Sequence, residues 1–266
     1  MNKLVLFFVG LFVSLIVFSC QREISIDLNS ASPQIVVQAD IQDQNGIQTV
    51  KITKTANFSS PSIYDKVQGA EVVISDNAGN SEKLTEVSAG IYQTKNLKGV
   101  EKRTYFLNIK TGSQVFTSQC TMPQAVDFKG INMLKRIGFG TAKDLYIAVP
   151  QFVDPANVKN HYRFIQYINN KKDENFLIRN DNITDGLPNQ QPIASRNFEI
   201  KLGDSLQVDM MCLDESVYDY FYSLNQSAGR GPGGGATPSN PLSNISGGAL
   251  GYFNAYTIRS QKILVK

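Results

Sequence analysis

The chain has 266 residues, with 26 Lys plus Arg against 23 Asp plus Glu and a formal net charge of +3. So small an excess, with no long basic run, gives nucleic-acid binding no electrostatic support. There is a single histidine, so any hydrolase built on imidazole would depend wholly on that one ring.

The chain opens with Lys3 and the apolar run LVLFFVGLFVSLIVF from Leu4 to Phe18. The run falls short of the roughly 20 apolar residues that span a bilayer, which makes residues 1–19 a secretion signal peptide. Ser19 then places a small residue directly before Cys20, the arrangement a lipoprotein signal peptidase cleaves. Cys20 would carry acyl chains, and two or more chains anchor a protein stably. Residues 20–33 read as a lipidated tether. No second stretch approaches spanning length, so the rest is expected to be an envelope domain held by its N-terminus.

Short runs that alternate apolar and polar residues follow, each ending in turn residues, as half-buried antiparallel strands do. QIVVQADI (34–41), TVKITKT (49–55), AEVVISD (70–76) and GIYQT (90–94) are four of them. TYFLNIKTGSQVFTSQC (104–120) reads as a hairpin whose turn uses Gly112 for a positive φ. The fold class is mainly β, with an immunoglobulin-like or transthyretin-like sandwich over 34–122 and a boundary near Pro123.

Residues 123–266 read as a second β-sandwich domain carrying one helix and a glycine-rich loop. Its strands are expected at 144–154, 161–169, 174–180, 196–202, 204–214 and 252–265. The helix lies in DESVYDYFYSLNQSAG, where Asp214 caps the start and Val217, Phe221 and Leu224 form an apolar stripe. Gly229 can end it.

The chemical motifs are sparse. His161 sits among Tyr162, Phe164 and Tyr167 in a strand-like context and reads as structural. DNITDG (181–186) matches a calcium loop at its first, fifth and sixth positions, but Ile183 takes a ligand position and Pro192 stands where the bidentate glutamate belongs. It is read as an Asx turn, and no metal or cofactor is expected. GRGPGGG lacks the Gly-Lys-Ser/Thr ending of a phosphate loop. Cys120 and Cys212 could pair in an oxidising compartment or stay as free thiols. Asp209, Asp214 and Glu215 are candidate carboxylates for a glycosidase, which needs two such groups about 5 to 9.5 Å apart; no motif supports that reading, and the chain is not read as an enzyme.

Several pieces coincide in order: the lipobox cysteine, EISIDL, PQIVVQADI, VQGAEVVISDNAGN, FVDPANVKNHYRF, GDSLQVDMMCLDESVYDYFYSL and NPLSNISGGALGYFNAY. This order resembles a family of Bacteroidota envelope lipoproteins catalogued as domain of unknown function 4249, over nearly the whole mature chain. The resemblance implies an outer-membrane lipoprotein, facing the periplasm or the cell surface, of a kind that often accompanies TonB-dependent transporters and helps capture nutrients.

The expected function is therefore non-catalytic binding of a glycan or peptide, as an accessory to such a transporter. The alternatives are a structural or assembly role in the envelope and a glycan-active hydrolase. Tyr218, Tyr222, Tyr252 and Phe253 are the expected contact residues, because aromatics give large contact area at small entropic cost. Asn240, Pro241, Asn244, Gly247, Gly248 and Gly251 are expected to form an ordered loop over one edge or end of the second sandwich, with 229–237 a mobile connection. The other reading makes the whole region a loose connection.

Overall fold

The computed structural model describes residues 32–56, 64–137, 144–195, 198–228 and 240–266. The expected signal peptide, Cys20, nearly all of the tether, and the glycine-rich 229–239 stretch lie outside the described residues.

Strict alternation builds the first half. The strands are β1 (Ile35–Gln42), β2 (Thr49–Lys54), β3 (Glu71–Asp76), β4 (Ser81–Lys83), β5 (Thr85–Ser88), β6 (Ile91–Gln93), β7 (Thr104–Thr111) and β8 (Gln114–Thr121). Every second residue of β1 (Ile35, Val37, Ala39, Ile41) and of β7 (Tyr105, Leu107, Ile109) is buried. One layer runs β1-β2-β6-β5 and the other β8-β7-β3-β4, and their inward residues share one core. Gly112, at φ 56, turns the β7–β8 hairpin as expected.

The second half supplies β9 (Gly130–Arg136), β10 (Leu145–Gln151), β11 (His161–Ile168), β12 (Lys171–Lys172), β13 (Leu177–Asn180), β14 (Ser205–Leu213), helix α1 (Glu215–Ala228), β15 (Ile245–Ser246) and β16 (Leu250–Leu264). The chain is mainly β, and α1 is the one helix among the described residues. Asp214 caps it: Oδ1 accepts the Ser216 N–H at 3.0 Å, while the Asp214 carbonyl accepts the N–H groups of Val217 and Tyr218. Val217 and Phe221 are buried and Leu224 is half-buried, so the expected stripe faces the protein.

The two halves meet in one sheet of nine strands, ordered β12-β11-β14-β16-β1-β2-β6-β5, with β13 added to β11. β16 joins them by pairing in parallel with β1, Ala39 beside Phe253, while β15 extends the five-stranded sheet at β8. Strand pairing thus crosses the boundary expected near Pro123, and Pro33–Lys266 forms one compact unit.

β14 has a core on each side. Leu206, Val208, Met210 and Cys212 join Phe128, Ala148, Tyr162 and Phe164 in a second core under the β9–β10 hairpin, while Met211 and Leu213 join the first. Of the strand expected at 196–202, residues 196–197 lie outside the described residues, and the described remainder holds an isolated bridge between Ile200 and Tyr146. Only Ile200 of its described residues is buried, which leaves little apolar area to hold a longer pairing.

Candidate ligand-binding face

Period two on β16 decides what the large sheet displays. Phe253 and Ala255 are fully buried in the first core, so Tyr252, Asn254 and Tyr256 point to the opposite face. The parallel register sets Gln38, Asp40 and Gln42 of β1 beside them, residue for residue. Asp40 is held there by its neighbours: Tyr252 Oη donates to Oδ2 at 3.1 Å, and Asn254 Nδ2 donates to Oδ1 at 3.1 Å. Tyr256 Oη donates to Gln42 Oε1 at 3.5 Å.

Helix α1 crosses this face. Tyr220 and Phe221 lie 5.0 and 5.1 Å, ring centre to ring centre, from Tyr252. Arg163 of β11 sits under the same helix. Its guanidinium carbon is 4.2 Å from the centre of the Phe221 ring and 5.5 Å from that of Phe176. Such stacking fixes the plane of a guanidinium and favours its charge.

Arg163 is half-buried, yet among the described residues it makes no ion pair within 4.0 Å and no side-chain hydrogen bond, and its Nε is buried without a partner. A guanidinium carries five N–H donors, and native structures rarely leave buried donors unused.

The carboxylate nearby does not neutralise it by contact. Burial raises the Asp40 pKa, against the hydrogen bonds from Asn254 and Tyr252 and the charge of Arg163, which lower it. Burial also raises the pKa of Tyr252, Tyr256 and Tyr220, with the Asp40 charge adding to the rise at the first two. These phenols stay protonated and can donate. The half-buried groups of this face are a positioned cation, the phenols of Tyr252 and Tyr256, the Gln42 amide and the Asp40 carboxyl group, a set suited to a ligand with one anionic acceptor and several hydroxyl or amide groups.

The structure separates the four aromatics expected to make contact. Phe253 is fully buried, which corrects its reading as a contact residue: adjacent strand positions face opposite ways, so Tyr252 and Phe253 cannot share a surface. Tyr252 is on the face just described. Tyr218 and Tyr222 lie on the other flank of α1, stacked at 5.9 Å, with Tyr218 4.7 Å from the His161 ring and Tyr222 exposed. Sequence patterning does not single out Arg163 or Asp40. Each is a charged residue at the polar parity of an alternating strand, so the sequence alone does not set it apart from an ordinary outward residue.

Within the segment 240–251, Asn244 is tied to both sheets. Ser118 Oγ donates to the Asn244 carbonyl at 2.6 Å, and the Asn244 side chain binds the backbone of Phe253. Gly247, Gly248 and Gly251 have φ of 95, 85 and 100. Asn240 is exposed and Pro241 half-buried at the start of the segment.

The candidate carboxylates are engaged elsewhere. Asp214 Oδ2 accepts the Thr121 N–H, Glu215 pairs with Lys159, and Asp209 accepts from Gln207 and Ser260. Cys120 and Cys212 are free and buried, in different cores. His161 and Glu215 line a cleft of about 340 Å³ at the start of α1. Burial pushes the His161 pKa down, while the charges of Glu215, Asp181 and Asp219 pull the other way. Among the described residues no helix is long and apolar enough to cross a membrane.

Sheets packed face to face across shared cores define a β-sandwich protein. The chain belongs to the family described as Domain of unknown function (DUF4249), whose sequence model matches residues 21–262. This agrees with the resemblance carried by its motifs. No curated protein matches it.

Proposed function

We propose that this protein is a lipid-anchored binding accessory of the bacterial outer membrane, tethered through Cys20. It captures a carboxylate-bearing glycan or peptide on the face around Arg163 and works beside a TonB-dependent transporter. The observation that carries the binding role is the Arg163 guanidinium, stacked on Phe221 and left without an acceptor. A ligand carboxylate would complete it with paired N–H donors, and Tyr252, Tyr256 and Gln42 would be within the same face to meet hydroxyl or amide groups. The anchor and the transporter follow from the lipobox and from the company such lipoproteins keep.

The test is calorimetric titration of the full chain in detergent with oligogalacturonate and with a short peptide, each beside a neutral counterpart. Binding of an acidic ligand that is lost in Arg163→Gln supports the reading. Equal binding of the neutral counterpart, or binding untouched by Arg163→Gln, sinks it. A pull-down from the native envelope tests the partner separately, and a retained barrel without any ligand would favour the assembly role.

A further inference from the structure

A second polar site lies away from Arg163, where two loops of the second core meet. The loop after β10 carries Asp154, and the loop after β13 carries Asp181 and Asp185. One carboxylate oxygen from each of the three lies within 4.8 Å of those of the other two. The loops are sewn together around them. The Asp154 N–H donates to the Leu187 carbonyl at 3.0 Å, and Val153 bridges Pro188. Asp181 Oδ2 accepts the Asn160 N–H at 2.6 Å, and Asp185 Oδ1 accepts the Asn157 N–H at 2.7 Å.

Each carboxylate thus gives one oxygen to the protein. Asp154 does so through Oδ1, which accepts the Tyr162 hydroxyl. Its Oδ2 is the telling atom. Asp154 is 1 % exposed, and this oxygen is buried with no hydrogen-bond partner. Among the described residues none of the three acids forms an ion pair. A buried carboxylate oxygen without a hydrogen-bond partner, on one member of a cluster of three acids, is costly unless something positive stands among them.

We infer that Asp154, Asp181 and Asp185 form a binding site for a divalent cation of calcium's size. Calcium takes oxygen ligands at 2.3–2.6 Å, so two oxygens on one ion lie at most about 5 Å apart, and the three carboxylates meet that limit. Asp185 is exposed, so water can fill the remaining coordination positions. The site is not the linear calcium loop that DNITDG imitates in part. Ile183 stays exposed and unused, and the third acid comes from Asp154 in another loop. The cation would lock the two loops that close the second core, next to the cleft at the start of α1.

The test uses the full chain in detergent, stripped with a chelator, then titrated with calcium chloride and followed by calorimetry and thermal melting. One ion should bind per chain, and at a hundredfold excess over Kd the melting temperature should rise by roughly 5–10 °C. Asp185→Asn, an exposed change that leaves the fold intact, should weaken binding by tenfold or more. Asp154→Asn, which removes repulsion without removing volume, should abolish the calcium response and raise the melting temperature of the stripped protein. No response to calcium in the wild type would overturn the inference, as would a response that survives in both variants. None of these residues contacts Arg163, so the outcome is independent of the ligand titration.

Discussion

Asn244 grips Phe253 with both ends of its carboxamide: Oδ1 accepts the Phe253 N–H at 2.9 Å, and Nδ2 donates to the Phe253 carbonyl at 2.8 Å. β1 occupies one edge of β16 at this point, whereas β14 pairs with β16 only from Thr257 onward. The side chain of Asn244 therefore stands in for a missing strand at the other edge of Phe253.

Asn244→Ala would leave both backbone groups unpaired beside a fully buried ring. The expected cost is about 2–3 kcal/mol, or a melting temperature lower by roughly 4–12 °C. Asn244→Asp should do no better, because it loses the donor and aims a carboxylate at a carbonyl. Thermal melts of the two variants decide it, and a wild-type curve from either would mean the substitute pairing is dispensable.

The glycines that follow differ in what surrounds them. A Cβ on Gly251 would come 1.8 Å from the Val37 carbonyl oxygen, because β1 lies against it, and a Cβ on Gly247 would meet the Val115 carbonyl at 2.4 Å. At Gly248 nothing lies within 4 Å. All three have positive φ, so alanine carries backbone strain of about 1 kcal/mol at each. Only at 247 and 251 must the strands also part. Gly251→Ala and Gly247→Ala should lower the melting temperature several times more than Gly248→Ala. Equal losses at all three would show that φ alone matters and the close approach does not.

This C-terminal region also shows where a sequence stops being legible. IVVQADIQ and TYFLNIKT announce their buried faces, because each alternates cleanly and the core takes one parity. Asp214 with Val217, Phe221 and Leu224 announces a capped helix in the same way. β9 is harder to see, since Gly130, Lys135 and Arg136 dilute its alternation. The parallel pairing of β1 with β16 leaves no local trace, because its partners lie at opposite ends of the chain. Arg163 gains its meaning from Phe176 and Phe221, and Asp154 from Asp181 and Asp185. In each case the residues come from separate elements that only the fold brings together.

The aromatics near α1 separate by burial. Phe253→Ala empties a fully buried position and should cost about 3–5 kcal/mol. Tyr252→Phe keeps the ring but takes one donor from the half-buried Asp40, for about 1–3 kcal/mol. Tyr222→Ala removes a side chain from a residue that is 48 % exposed and should stay within about 0.5 kcal/mol. Chemical denaturation of the three variants should rank them in that order. A large loss at Tyr222 would show that the outer flank of α1 carries more of the fold than its exposure indicates.

Asp76 ties acid stability to one turn. Its side chain is 2 % exposed. Oδ1 accepts the N–H groups of Ala78 and Asn80, and Oδ2 accepts from Asn80 Nδ2 at 2.8 Å and Arg103 Nη1 at 2.9 Å. Burial alone would raise the pKa, but the Asn80 and Ala78 hydrogen bonds and the Arg103 charge together outweigh it and lower the pKa below 3.8. A carboxyl group with a depressed folded pKa leaves the unfolded state binding more protons. Its stabilisation is then present above the unfolded value and lost as pH falls through the folded one. Asp76→Asn should cost about 2 kcal/mol at neutral pH, and the gap to wild type should shrink as the pH drops below about 4. Glu71 and Glu86 also have lowered pKa values and titrate in both proteins, so the difference between the two denaturation series isolates Asp76. A gap that stays constant down to the acid limit would mean that Asp76 holds the turn by shape and hydrogen bonding rather than by charge.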